Sequence, residues 1–144
     1  MITIGVIGYG YWGPNLVRNF VEVSGGRVGC VTDVRAERLS QVTARYPAVK
    51  VSTDYRDLMN DTSIDAVAIA TPVSSHFDLA MAALRAGKHV LVEKPMTATS
   101  DQAMALIDEA EKRGLVLMVD HTFVYTDAVR KIRELTHNGD LGEI

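Results

Sequence analysis

The chain has 144 residues, 47% of them hydrophobic and 23% charged, with a formal net charge of −3. That length suits one domain with a buried core. Lys and Arg are scattered, and without a basic stripe neither a nucleic acid nor an anionic membrane is an expected partner. The single cysteine, Cys30, excludes an internal disulfide. No Cys/His cluster has metal-ligand spacing, so no metal is expected. The N-terminal run Met1-Ile2-Thr3-Ile4-Gly5-Val6-Ile7-Gly8 is too short and too Gly-broken for a signal peptide or membrane span. A cytoplasmic location follows by default.

Short apolar runs alternate with segments of helical spacing. Ile2 to Ile7 predicts a strand. Pro14 to Val23 predicts a helix, with proline in a first turn where a missing N–H costs nothing and Leu16, Val17, Phe20 and Val23 at the helix period. Ser24-Gly25-Gly26 stops it. Arg27 to Thr32 predicts a second strand, Arg35 to Arg45 a polar helix with Leu39 and Val42 on one face, Val49 to Ser52 a third strand, and Tyr55 to Asn60 a small helix. The fourth strand, Asp65 to Ala70, is nearly all apolar, as a strand covered on both faces should be. A helix from Ser75 to Ala86 ends at Gly87, Lys88 to Glu93 is the fifth strand, and a helix capped by Ser100 runs to Arg113 and ends at Gly114. Leu115 to Val119 is the sixth strand.

Strand–helix repetition of this kind predicts an α/β fold: a doubly wound parallel sheet of the Rossmann type, with helices on both faces. Thr126 to Thr136 predicts a further amphipathic helix with Val129, Ile132 and Leu135 on one side, ended by Asn138-Gly139. Leu141-Gly142-Glu143-Ile144 then resembles the start of another element. The division is therefore residues 1–122 as a dinucleotide-binding domain, and 123–144 as a connecting helix and the beginning of a second domain. A chain cut at that point is the expectation, with a frayed natural end as the alternative. The uncovered apolar face of the last helix predicts self-association, a homo-oligomer.

Gly8-Tyr9-Gly10-Tyr11-Trp12-Gly13 fits G-x-G-x-x-G, a weak pattern alone but placed here between a predicted strand and a predicted helix. Gly8 permits the tight turn, Gly10 leaves room for a pyrophosphate, and Gly13 lets the helix pack closely. The backbone N–H groups around Tyr11 and Trp12 would then face phosphates at the helix's positive end. Asp33 ends the second strand 20 residues after Gly13, where a carboxylate accepts hydrogen bonds from a ribose diol. It would repel a 2′-phosphate, so NAD is favoured over NADP. Arg35 and Arg38 keep NADP open, because a nearby arginine can hold that phosphate. A turn-forming Asp at a strand end is the bland alternative.

Two polar clusters follow strands at the end of the sheet where ligands collect: Thr71-Pro72-Val73-Ser74-Ser75-His76 and Glu93-Lys94-Pro95. A lysine in a partly dry cleft beside a cationic nicotinamide can take up the proton left when hydride departs from a carbinol carbon. A surface lysine at a strand end is the structural alternative.

Together with the glycine turn, Ala70-Thr71-Pro72 with His76, the block Ala86-Gly87-Lys88-His89-Val90-Leu91-Val92-Glu93-Lys94-Pro95 and the closing Gly139-Asp140-Leu141-Gly142-Glu143-Ile144 make the sequence resemble the glucose–fructose oxidoreductase, inositol dehydrogenase and MocA family. The resemblance implies an NAD(P)-dependent dehydrogenase acting on a sugar, polyol or nucleotide-sugar hydroxyl. It implies Lys94 at the nicotinamide and substrate end in proton transfer or substrate orientation, and Glu93 by the nicotinamide ribose. Thr71, Pro72 and His76 would line the cofactor groove. It also implies a second, sheet-based α+β substrate domain, without which this chain alone is expected to be inactive. His121 and Tyr125 become candidate substrate contacts, with packing at an interdomain hinge the alternative. His76 stays open between groove ligand and structural histidine, and His89 reads as structural. A non-catalytic dinucleotide-binding sensor or interaction module is the competing function.

Overall fold

The computed structural model describes residues 1–142. Six strands form one sheet: β1 (Ile2–Ile7), β2 (Gly26–Thr32), β3 (Lys50–Ser52), β4 (Ala66–Ile69), β5 (His89–Glu93) and β6 (Leu117–Asp120). All neighbours are parallel, in the order β3-β2-β1-β4-β5-β6. The order reverses between β1 and β4, which opens a crevice at their carboxyl ends. Six helices connect the strands or follow them: α1 (Gly13–Glu22), α2 (Ala36–Arg45), α3 (Tyr55–Asn60), α4 (His76–Arg85), α5 (Ser100–Arg113) and α6 (Asp127–His137).

Successive strand residues point to opposite faces, and the core divides accordingly. Val6 and Ala68 pack with Leu16 and Val17 of α1 and Leu39 and Val42 of α2. Their neighbours Ile7, Val67 and Ile69 pack with Leu58 of α3, Leu79 and Leu84 of α4 and Leu106 of α5. Leu58, Leu84 and Leu106 are fully buried, each worth about 1.5–3 kcal/mol relative to exposure. A Cβ on Gly5 would run into the Leu58 side chain, so α3 lies directly on β1 there.

The helix ends follow local chemistry. Pro14 occupies the first turn of α1. Gly114 closes α5 in the left-handed region, at φ +65°. The capping residue of α5 is Thr99, not Ser100: the Thr99 hydroxyl accepts from the Gln102 N–H. The sixth strand starts at Leu117 rather than Leu115, because the Leu115 N–H bonds back to Ala110 O and still belongs to the helix ending.

A turn of 3-10 helix, Thr122–Tyr125, links β6 to α6. No residue of α6 is buried, and Phe123, Val124, Tyr125 and Ile132 are exposed. Leu141 and Gly142 lie in a turn closed by Gly142 N–H to Gly139 O. The remainder of the element expected there, Glu143 and Ile144, falls outside the described residues. No helix among the described residues is long and apolar enough to cross a membrane.

Candidate cofactor-binding site

A cleft of about 1070 Å³ lies over the carboxyl ends of the strands. One end is walled by Gly8, Gly10, Tyr11, Trp12, Asp33, Arg35 and Arg38, and the other by Thr71, Pro72, Asp78, Glu93 and Lys94, with Thr122 and Phe123 beside them. That is the scale of a cofactor pocket.

The glycine turn is built by close backbone approach. Gly8 has φ +95°, and a Cβ there would stand 2.5 Å from Ala70 O, the backbone leaving β4. Its N–H bonds to Thr32 O at 2.7 Å. A Cβ on Gly13 would overlap Gly8 O, so α1 begins in contact with the turn. A Cβ on Gly10 would meet Arg38 Nη1 at 2.8 Å. No side chain caps α1 and no acid occupies its first turn, which leaves its positive end open to an anionic ligand. Tyr11 and Trp12 stack with ring centroids 6.3 Å apart over the rim.

Asp33 is buried, and its two oxygens hold the turn together. Oδ2 accepts from Tyr9 N–H at 2.8 Å and Oδ1 from Arg35 N–H at 2.9 Å. The Arg35 and Arg38 guanidinium groups lie 3.5 and 3.7 Å from the carboxylate. Burial pushes its pKa up, but the two N–H donors and two guanidinium groups together outweigh burial and hold it below the usual carboxylate range. The acid is therefore ionised at neutral pH.

At the far end, Glu93 closes β5 and Lys94 follows it, joined to Pro95 by a cis peptide. Lys94 is exposed to the cleft. Burial, then the charge and side chain of Asp120, push Glu93 up to about 7, against the Lys94 backbone N–H and charge.

His76 requires a correction as a groove ligand. It is 1% exposed and is not on the cleft wall; Nδ1 lies 2.9 Å from Pro95 O and Nε2 2.8 Å from Thr71 O. A backbone carbonyl faces each ring nitrogen, so the ring N–H is spent within the protein and the buried side chain is turned away from the cleft. It instead ties the loop after β4 to the loop after β5, fixing Thr71, Pro72 and Lys94 relative to one another. His89 is structural, its Nδ1 accepting from Val116 N–H at 2.9 Å.

His121 and Tyr125 are both exposed and neither lines the cleft; from that segment Thr122 and Phe123 do. Sequence reasoning misses Thr32, Asp78, Thr122 and Phe123 on the cleft wall, and Asp120 through its pairing with Glu93. Lys88 within the Gly87-Lys88-His89 block is also structural. Its buried ammonium donates to Asp61 O at 2.9 Å and Ile64 O at 2.7 Å, anchoring the loop before β4.

Among the described residues, two buried side-chain polar atoms lack a hydrogen-bond partner, Thr32 Oγ1 and Glu93 Oε1, and both residues line this one cleft. Buried polar groups are normally paired. The uncapped positive end of α1 at the glycine turn suits phosphates, and the ionised Asp33 beside it suits a ribose diol. The residues present fit a dinucleotide.

Comparison with known proteins agrees with this geometry. The chain is 38% identical over 143 residues to the uncharacterized oxidoreductase YdgJ of Escherichia coli (strain K12), covering 99% of this chain and 41% of that protein. It is 30% identical to the scyllo-inositol 2-dehydrogenase (NADP(+)) IolW of Bacillus subtilis (strain 168), covering 99% and 39%. Among solved structures, a variant of KijD10, a 3-ketoreductase from Actinomadura kijaniata in complex with TDP-benzene and NADP, superposes with a TM-score of 0.89 at 31% identity, covering 99% of this chain and 44% of that one. The chain thus spans about two fifths of the length of these relatives. The sequence model of the GFO_IDH_MocA group, described as an oxidoreductase family with an NAD-binding Rossmann fold, matches residues 2–121, and the chain belongs to that family.

Proposed function

We propose that the cleft binds a nicotinamide dinucleotide, NAD in preference to NADP, and serves hydride transfer to or from a hydroxyl-bearing carbon of a sugar, cyclic polyol or nucleotide sugar. The observation that carries this reading is the continuity of one cleft from the glycine turn and Asp33 to Lys94. The adenosine half belongs over β1 and β2, where Asp33 meets a ribose, and the nicotinamide half beyond β4 and β5. The buried, ionised Asp33 supports NAD, since a 2′-phosphate would approach a carboxylate whose neighbouring guanidinium groups it already holds. The named activities of IolW and KijD10 support the substrate class.

A bound nicotinamide would supply the hydride chemistry, as acceptor or donor. Lys94 Nζ in its unprotonated form takes the proton of the substrate hydroxyl, and releases it to solvent at the open cleft mouth. His76 holds Lys94 in place through Pro95 O. Thr71, Pro72 and Glu93 line the same end of the cleft as Lys94.

The test is a steady-state assay of the 144-residue chain and of the full gene product with inositols and nucleotide sugars, beside Lys94→Ala. Loss of a proton-transfer group costs about 10²–10⁴-fold in turnover. Turnover that survives Lys94→Ala within threefold refutes the assignment. Tight cofactor binding without turnover on any such substrate selects the sensor reading instead.

A further inference from the structure

Glu93 and Asp120 are register partners at the ends of neighbouring parallel strands, so their side chains leave the sheet on the same face. Their carboxyl groups lie within hydrogen-bonding reach of one another. Two ionised carboxylates have no donor between them, and Glu93 Oε1 is buried without a partner among the described residues. One proton changes this: a protonated Glu93 becomes a donor, Asp120 its acceptor, and like-charge repulsion disappears. The other charged group that acts on Glu93 is Lys94, next in the chain; Asp78, in the first turn of α4, lines the same cleft, and the buried His76 beside it faces the Thr71 and Pro95 carbonyls. Lys94 favours ionised carboxyls.

We propose that Asp120 is a positioning residue that makes Glu93 and itself a carboxyl pair holding one shared proton at the nicotinamide end of the cleft, and that the pair gives this proton to solvent when the oxidised cofactor binds. This rests on the cofactor orientation proposed above. The oxidised nicotinamide ring is cationic and the reduced ring neutral. A cation brought beside the pair stabilises its doubly ionised form, and the O–H bond on Glu93 breaks with its proton passing to water. A neutral ring leaves the proton in place. The pair thereby matches its charge to the redox state of its ligand.

Two measurements test this separately. Carbon NMR of protein labelled at the Glu side-chain carboxyls, with Glu93→Gln for assignment, follows Glu93 without cofactor. Its midpoint is expected near 7, falling into the ordinary carboxylate range in Asp120→Asn. A wild-type midpoint with the ordinary glutamates, about 4.3, overturns the pair. Calorimetry of NAD⁺ and NADH binding at pH 7 in buffers of different ionisation enthalpy then counts protons. Release of about half a proton per site is expected with NAD⁺, since a group titrating near 7 is half protonated there, and none with NADH. Both Asp120→Asn and Glu93→Gln should abolish the release. Binding of NAD⁺ with no proton release in the wild type overturns the coupling. Failure of either nucleotide to bind refutes the cofactor reading and the coupling with it, while the NMR midpoint still decides the pair.

Discussion

Replacing Asp33 with Asn removes one charge and turns one acceptor oxygen into a donor. In the native protein both carboxylate oxygens take backbone N–H groups, from Tyr9 at 2.8 Å and Arg35 at 2.9 Å. An amide can accept only one of them. The other N–H then faces an NH₂ group in a buried site, an unsatisfied donor costing about 1–3 kcal/mol. The surviving bond loses its charge assistance, which removes roughly half its strength. The two guanidinium pairs at 3.5 and 3.7 Å add little, since Arg35 is half exposed. Asp33→Asn should therefore cost about 2–3 kcal/mol, read as a lower urea midpoint with unchanged slope at pH 7.

The pH dependence has a definite sign. A carboxyl held below its unfolded pKa contributes stability that is complete above the ordinary carboxylate value and lost as pH falls through the depressed one. The gap between wild type and Asp33→Asn should accordingly close in acid. Ligand preference should change as well. Arg35 and Arg38, released from the carboxylate, become partners for a 2′-phosphate, and the NADPH-to-NADH affinity ratio should rise about tenfold or more, equivalent to about 1.4 kcal/mol. A variant within about 0.5 kcal/mol of wild type, with an unchanged ratio, refutes the reasoning on both counts.

Gly8→Ala forces a side chain into φ +95° with its Cβ 2.5 Å from Ala70 O; strain of about 1–3 kcal/mol plus the displaced backbone should abolish dinucleotide binding in a titration and lower the thermal midpoint. Lys88→Met keeps the stem but deletes two ammonium hydrogen bonds to the Asp61 and Ile64 carbonyls; a loss of about 2–4 kcal/mol is expected by urea unfolding, with nucleotide affinity per folded molecule unchanged. Burial pushes the Cys30 thiol up to about 11, so a thiol reagent at pH 8 should leave the native protein unlabelled and react only on unfolding.

The parts of the fold that sequence makes legible are those written locally. Alternation of apolar strands with helix-period segments predicts the parallel sheet, and the run from Gly8 to Gly13 with Asp33 predicts the phosphate end of the cleft. What sequence conceals is long-range. Nothing near His76 shows that carbonyls 5 and 19 residues away face its two ring nitrogens, so a histidine after a strand reads as a ligand. Asp120 acquires its meaning only through its register with Glu93 across two strands and an intervening helix. Leu115 and Val116 look like strand residues, and only the hydrogen bond from Leu115 to Ala110 assigns the first of them to the helix ending. Asp33 is half legible: its position marks a ribose acid, while its service to the Tyr9 and Arg35 N–H groups is visible only once the turn is folded.

Trp12, the protein's single tryptophan, sits on the wall of the cleft proposed to hold the nicotinamide dinucleotide. Titration with NADH and NADPH, following nicotinamide emission and Trp12 quenching together, tests that proposal most directly. Saturable quenching with NADH bound more tightly, lost in Gly8→Ala, is the predicted result. A folded protein whose Trp12 emission responds to neither nucleotide contradicts the account.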